Sequence, residues 1–149
     1  MAARIWFKDY TLEEINRQAD KENILTRLGI RLTELGPDYI RGTMPVDDRT
    51  RQPFGILHGG ASCVLAETLG SFASVMCVNQ DTNFAVGSVI TTNHLRPVES
   101  GTVEGLCKLI HLGKTKHVWE ILITNESGKL VARSELTCAV TDKKQGPTI

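Results

Sequence analysis

Apolar residues change their spacing along the chain, and the changes divide it into a short helix, two strands, a long helix and four further strands. Thr11-Leu12-Glu13-Glu14 has the form of a capping box, a hydroxyl at the cap and a carboxylate three residues on. Leu12, Ile15 and Ala19 then share one helical face, which predicts an amphipathic helix to about residue 20. Gly29 and Gly36-Pro37 punctuate the next stretch of chain. Around them Ile30 and Leu32, then Ile40, Met44 and Val46, alternate with other residues, predicting half-buried strands near 30–35 and 39–46. Residues 47–57, DDRTRQPFGIL, read as a loop. His58-Gly59-Gly60 opens the one long helix, over roughly 59–78, whose apolar residues (Val64, Leu65, Leu69, Phe72, Val75 and Met76 among them) cover most of the circumference. A helix apolar nearly all round is one enclosed by other structure.

Beyond Asn79-Gln80-Asp81 the period falls to two, and strands are expected near 84–96, 102–112, 116–124 and 130–141. Asn125-Glu126-Ser127-Gly128 reads as a hairpin turn. Such short links imply an antiparallel sheet. The expectation is one α+β domain over residues 1–149, a long helix against a long antiparallel sheet, with an N-terminal helical segment over 1–25 and a frayed tail over 142–149.

Composition narrows the function. Seventeen basic and seventeen acidic residues cancel, and no basic run exceeds Lys143-Lys144, so nucleic acid is not an expected partner. Apolar residues make up 41% of the chain, enough for a core. The least charged stretch, 52–80, holds a His, a Glu and four Gly and does not read as a membrane span. Cys63, Cys77, Cys107 and Cys138 lie among apolar neighbours with no C-x-x-C pair, which suits a reducing, cytoplasmic setting and neither a disulfide frame nor a metal site. No signal peptide is expected from MAARIWFKDY.

Between Arg51 and Asp81 the only groups besides thiols that ionise near neutral pH are His58 and Glu67. A lone carboxylate on an apolar helix is costly to bury unless it is paired or faces water, and such groups cluster at functional sites. A structural Glu holding a backbone group or a Lys is the alternative. His58 and Glu67 stand nine residues apart, about 13.5 Å along a helix and half a turn out of phase. They cannot meet on one helix, so a site using both needs two copies of it, across a twofold interface. Ser71 shares the face of Glu67, one turn on, and either serves the site or bonds to its own helix. Gly59 and Gly60 at the helix start expose backbone N–H groups where the helix dipole favours negative charge, an oxyanion hole in prospect or simply a turn that needs glycine. Gln52 is by pattern only a polar loop residue.

The segment QPFGILHGGASCVLAETLGS, from Gln52 to Ser71, resembles the hotdog-fold acyl-CoA thioesterases of the PaaI-like kind, within them the subgroup of 1,4-dihydroxy-2-naphthoyl-CoA hydrolases and enterobactin proofreading thioesterases. The likeness extends through TMPVDDRTRQPFG, NHLRPVESG and LCKLIHLGKTKHVWEI. It implies a sheet wrapped around the long helix. It implies also that Glu67 is the catalytic nucleophile or base, that the Gly59 N–H binds the oxyanion, that Gln52 and His58 orient the thioester carbonyl, and that Ser71 stands beside the carboxylate. By the same resemblance, coenzyme A lies along Gly87, His94-Leu95-Arg96-Pro97 and His111-Leu112-Gly113-Lys114-Thr115-Lys116, and no cofactor is needed. Pro97 and Lys116 depart from the residues relatives often carry there. A homodimer sharing its sites, doubled to a homotetramer, is the implied assembly. Phe54, Leu69, Phe72 and Met76 are available to line an acyl pocket. Thioesters of a carrier protein are an alternative substrate, and a non-catalytic acyl-CoA-binding protein is a further alternative; a dehydratase of the same fold would have a longer His-to-Glu spacing.

Overall fold

The computed structural model describes residues 3–145. A first helix, α1 (Leu12–Ala19), starts at the capping box: Glu14 N–H donates to Thr11 Oγ1 at 3.2 Å and Thr11 N–H to Glu14 Oε2 at 2.9 Å. It buries Ile15 and Ala19. A second helix, α2 (Ile24–Leu28), comes next, where the hydrophobic pattern gave no sign of one. Its ends are set by Asn23, whose side chain accepts from Leu25 N–H and Thr26 N–H, and by Gly29, left-handed at φ 70°. Strands β1 (Arg31–Leu35) and β2 (Tyr39–Val46) precede the long helix α3 (Gly59–Met76). β3 (Asn83–His94), β4 (Gly101–Leu112), β5 (Lys116–Thr124) and β6 (Leu130–Asp142) complete the sheet, each within two residues of the expected bounds. Lys143–Gln145 form a short 3-10 turn, and residues 146–149 of the expected tail lie outside the described part.

All strand pairings are antiparallel, in the order β1-β2-β4-β5-β6-β3. The sheet packs around one side of α3, where Leu65, Ala66, Leu69 and Ala73 are fully buried. Two facing glycines make the close approach possible. Gly42 of β2 pairs with Gly105 of β4, and a Cβ on either would stand within 2.8 Å of a Leu69 methyl. The opposite side of α3 is less well covered: Val64, Phe72 and Val75 are only half-buried, and Glu67 is exposed. Enclosure on all sides, as the helix composition predicts, is therefore incomplete in one chain. β3 lies at an edge of the sheet, twelve residues long, with Phe84, Val86 and Val89 exposed along it. Long unpaired edges with apolar side chains are the surfaces that take up another strand. Among the described residues no helix is long and apolar enough to cross a membrane.

One buried group has a pH consequence. His117 of β5 is 2% exposed and its Nδ1 has no hydrogen-bond partner. Burial lowers its pKa below the ordinary 6.5, the Gly113 backbone opposes that, and nearby His111 adds to it. The folded imidazole resists a proton that the unfolded chain accepts, so its contribution is fully present above the unfolded value and is lost as pH falls below it. Thermal melts from pH 7.5 to 5.5 should show stability falling, with a shallower fall in His117→Leu. An equally steep fall in the variant would assign the dependence to other groups.

Candidate active site

The loop before α3 is rigidly braced. Thr50, 2% exposed, donates through Oγ1 to the Pro45 carbonyl at 2.7 Å; Leu57 N–H reaches the Val98 carbonyl and His58 N–H the Thr50 carbonyl, both at 2.8 Å. Within it, Gly55 N–H closes a turn on the Gln52 carbonyl at 2.9 Å, and Gln52 Oε1 accepts from Phe54 N–H. The acceptor of the Gln52 amide is thus occupied and its NH2 is the group left to donate. His58 is the N-cap of α3, its Nδ1 accepting from Gly60 N–H at 2.8 Å. A neutral imidazole bonded this way carries its hydrogen on Nε2. The sequence suggested two free N–H groups at this helix end; the His58 ring takes the one on Gly60. Among the described residues the Gly59 N–H has no acceptor.

His94 covers the same helix end. A Cβ on Gly59 would stand 2.9 Å from its Cε1 and Nε2. Leu95 N–H and Arg96 N–H both donate to the Val131 carbonyl, holding His94-Leu95-Arg96-Pro97 beside α3. A cleft of ≈ 520 Å³ is lined by Gln52, Leu57, Gly59, His94, Arg96 and Pro97 among others. Of the sequence-implied residues, Gln52, Gly59, His94, Leu95, Arg96 and Pro97 share this cleft, and His58 caps the helix without lining it.

Glu67 does not join them. It lies eight residues along α3 from Gly59, about 12 Å at the rise of a helix, and faces a different cleft with Val64, Thr68, Ser71 and Phe72. Its carboxylate has no protein hydrogen-bond partner among the described residues, so the structural role open to a helix Glu has no support in the single chain. Oε1 lies 2.5 Å from where a Cβ on Gly87 would stand. Gly87 pairs with Cys138 across the sheet, and the Cys138 thiol has the hydroxyls of Ser74 and Ser71 beside it. Gly87→Ala should therefore displace the carboxylate while leaving the flexible Glu67 stem to absorb the clash. Activity should fall about tenfold or more at near-native melting temperature. Unchanged turnover would remove any role for this approach.

The remaining implied contacts divide between the two clefts' ends of the sheet. His111-Leu112-Gly113-Lys114-Thr115-Lys116 forms the β4–β5 hairpin, closed by Gly113 N–H on the Lys116 carbonyl at 2.9 Å. Lys116 pairs with Ala139, which pairs with Val86, so the hairpin lies at the Gly87 end of β3, whereas His94 ends the strand. One chain thus carries these residues in two separate groups. Gln52, Gly59 and His94 share one cleft, with His58 capping the helix beside them; Glu67 and Ser71 share the other, with Gly87 and the basic hairpin at that end of the sheet.

Two expectations for the acyl pocket change: Leu69 points into the core, 0% exposed, and Phe54 is 90% exposed at the loop tip. A cavity of ≈ 700 Å³ is bordered by the N-terminal segment, through Lys8, Tyr10 and Ile15, and by Ser71, Phe72, Val75 and Met76 of α3. No periodicity marks these N-terminal residues as site residues. Across the sheet, Cys138 and His117 are cross-strand partners. Both are buried, and burial raises the Cys138 thiol pKa, with Ser74 and Ser71 partly offsetting it. The pair has the inert surroundings of core cysteines, not those of a nucleophile.

The geometry can be set beside known proteins. The family model described as "Thioesterase superfamily" matches residues 54–132. Over 136 residues the chain is 46% identical to 1,4-dihydroxy-2-naphthoyl-CoA hydrolase of Escherichia coli (strain K12), covering 91% of this chain and 98% of that protein. It is likewise 46% identical to the proofreading thioesterase EntH of Cronobacter turicensis, with the same coverage of both. A crystal structure of a Haemophilus influenzae thioesterase superposes with a TM-score of 0.88 at 45% identity, covering 93% of this chain and 95% of the other. A mutant thioesterase of Pseudomonas aeruginosa gives 0.90 at 43%, covering 93% and 99%. A sheet wrapped around one long helix, a glycine N–H at that helix's start and a carboxylate further along it are thus features of a hotdog-fold chain that belongs to the thioesterase superfamily.

Proposed function

We propose that the protein hydrolyses acyl-CoA thioesters to the free acid and coenzyme A, at sites each built from two copies of the chain. The observation that carries this reading is a separation: Gln52 and the Gly59 N–H open into one cleft and the Glu67 carboxylate, about two turns further along α3, into another. Antiparallel pairing of β3 with a second β3 about a twofold axis turns the Gly87 end of one strand towards the His94 end of the other. That is the direction needed to bring Glu67 of one copy to Gly59 of its partner. The exposed apolar residues on this edge favour the same contact.

In such a site the thioester carbonyl oxygen accepts from the Gly59 N–H at the positive end of α3, with the Gln52 amide NH2 and the His58 Nε2–H as further donors. Glu67 of the partner subunit then either adds to the carbonyl carbon or removes a proton from an adding water. The C–S bond breaks in both routes, and the thiolate leaves with the electron pair and is protonated. Attack by Glu67 itself leaves an acyl–glutamyl anhydride, which water cleaves. No metal enters this scheme. Arg96, Lys114 and Lys116 are the cations available for the phosphates of coenzyme A. The free cysteines fit a cytoplasmic enzyme, and a dimer of dimers is the proposed assembly.

Mixing two inactive variants tests the shared site. In a random His58→Ala/Glu67→Gln heterodimer one site carries both lesions and the other neither. Half of all dimers are mixed, so about a quarter of wild-type sites should return after subunit exchange, a consequence of twofold symmetry. The readout is thiol release from benzoyl-CoA, which also separates an enzyme from a protein that only binds. No recovery after verified exchange would place both residues in one subunit, or remove one of them from the site.

A further inference from the structure

The ≈ 700 Å³ cavity beyond Ser71 has two kinds of wall. Its floor is apolar, made by Ile15, Phe72, Val75 and Met76. Its far end carries two donors without an acceptor. The Tyr10 hydroxyl accepts from Gln80 Nε2 at 2.9 Å, and among the described residues nothing takes the hydrogen of Tyr10 itself. The Lys8 ammonium stands 5.0 Å from the centroid of the Tyr10 ring, with no carboxylate at salt-bridge distance among the described residues. Two further charges border the cavity: Glu14 accepts from Thr11 N–H at 2.9 Å and attracts the Lys8 ammonium from beyond ion-pair distance, and Arg17 donates to Glu13 at 2.7 Å.

The cavity shares Ser71 and Phe72 with the cleft that holds Glu67, so the two form one path along the outer face of α3. From Glu67 to Val75 the helix rises about 12 Å. We infer that this path takes the acyl group, and that Tyr10 and Lys8 select acyl groups with an apolar body roughly 8–12 Å long that ends in an oxygen. The inference rests on the assignment of Glu67 as the catalytic carboxylate. The apolar floor removes the body of the acyl group from water, and the terminal oxygen accepts from the Tyr10 O–H and the Lys8 ammonium. An acyl group of the same length without that oxygen leaves both donors unmatched beside a methyl group.

The test compares specificity constants for ω-hydroxydecanoyl-CoA and decanoyl-CoA, and for the corresponding four-carbon pair, whose tips stop short of Tyr10. Wild-type enzyme should favour the hydroxylated member of the long pair. In Tyr10→Phe that preference should fall about three- to tenfold, the worth of one partly exposed hydrogen bond, and Lys8→Met should lower it in the same direction. The ratio for the short pair should not move in either variant. An unchanged long-pair ratio in both variants, including an equal fall for both members, overturns the inference while turnover leaves the assignment of Glu67 standing. Equal changes in the long and short ratios overturn it as well. Absence of turnover with every thioester, benzoyl-CoA included, would overturn the assignment and the inference together.

Discussion

Glu67→Gln is expected to lower the rate of thiol release at least ~10²-fold while the protein remains folded. The carboxylate sits on the exposed face of α3 and no protein group depends on it for a hydrogen bond among the described residues, so an amide of similar volume has nothing structural to disturb. What the amide loses is basicity and nucleophilicity. Both routes to the acid need one of these, whether Glu67 adds to the carbonyl or deprotonates water. The check is a rate with benzoyl-CoA beside a thermal melt. If the variant keeps more than half the wild-type rate, the chemistry does not run through this residue.

Gly59→Pro should be comparably severe, and its proper reference is Gly59→Ala. A Cβ at this position meets the His94 ring at 2.9 Å, so either substitution pushes that exposed ring aside. Alanine keeps the N–H and proline removes it. Proline is well tolerated at the first position of a helix, where the N–H has no intrahelical acceptor, so the fold should accept both. Turnover in Gly59→Pro should fall about 10²–10³-fold below Gly59→Ala, the usual loss when one oxyanion donor is deleted. Melting temperatures should differ much less. Equal rates in the two variants would show that the N–H binds no developing charge.

The contrast between these residues and the acyl cavity shows where the sequence is informative. The box at Thr11–Glu14, the loop and helix start at 52–60 and the alternation over 130–141 are local patterns, and each became the element it predicts. The separation of the helix start from Glu67 follows from helix geometry alone and recurs as two clefts, one at Gly59 and one at Glu67. The five residues of α2 are too few to show a period, although Asn23 and Gly29 bound them with recognisable caps. Which side of α3 is buried was not legible, because the composition is apolar on both. The choice depends on the space left by Gly42 and Gly105, glycines on strands far apart in sequence. The approach of Gly87 to Glu67, the pairing of Cys138 with His117 and the cavity wall at Tyr10 have the same origin. Each depends on long-range packing that no window of residues contains.

The chain has two tryptophans, and they touch. Trp119, fully buried, donates through Nε1 to Ser74 Oγ on α3 at 2.7 Å. Trp6 stacks on it with ring centroids 6.5 Å apart and planes 14° from parallel, and donates to the Gly36 carbonyl at 2.7 Å. Tryptophan fluorescence of this protein thus originates at one spot, the seam between the N-terminal segment and the body of the fold. Peeling that segment away moves Trp6 into water, shifting its emission to the red and ending its coupling to Trp119, while Trp119 stays enclosed. Tyr10 lies four residues from Trp6. Attachment of the wall that closes the acyl cavity is therefore open to optical measurement on the unlabelled enzyme during turnover.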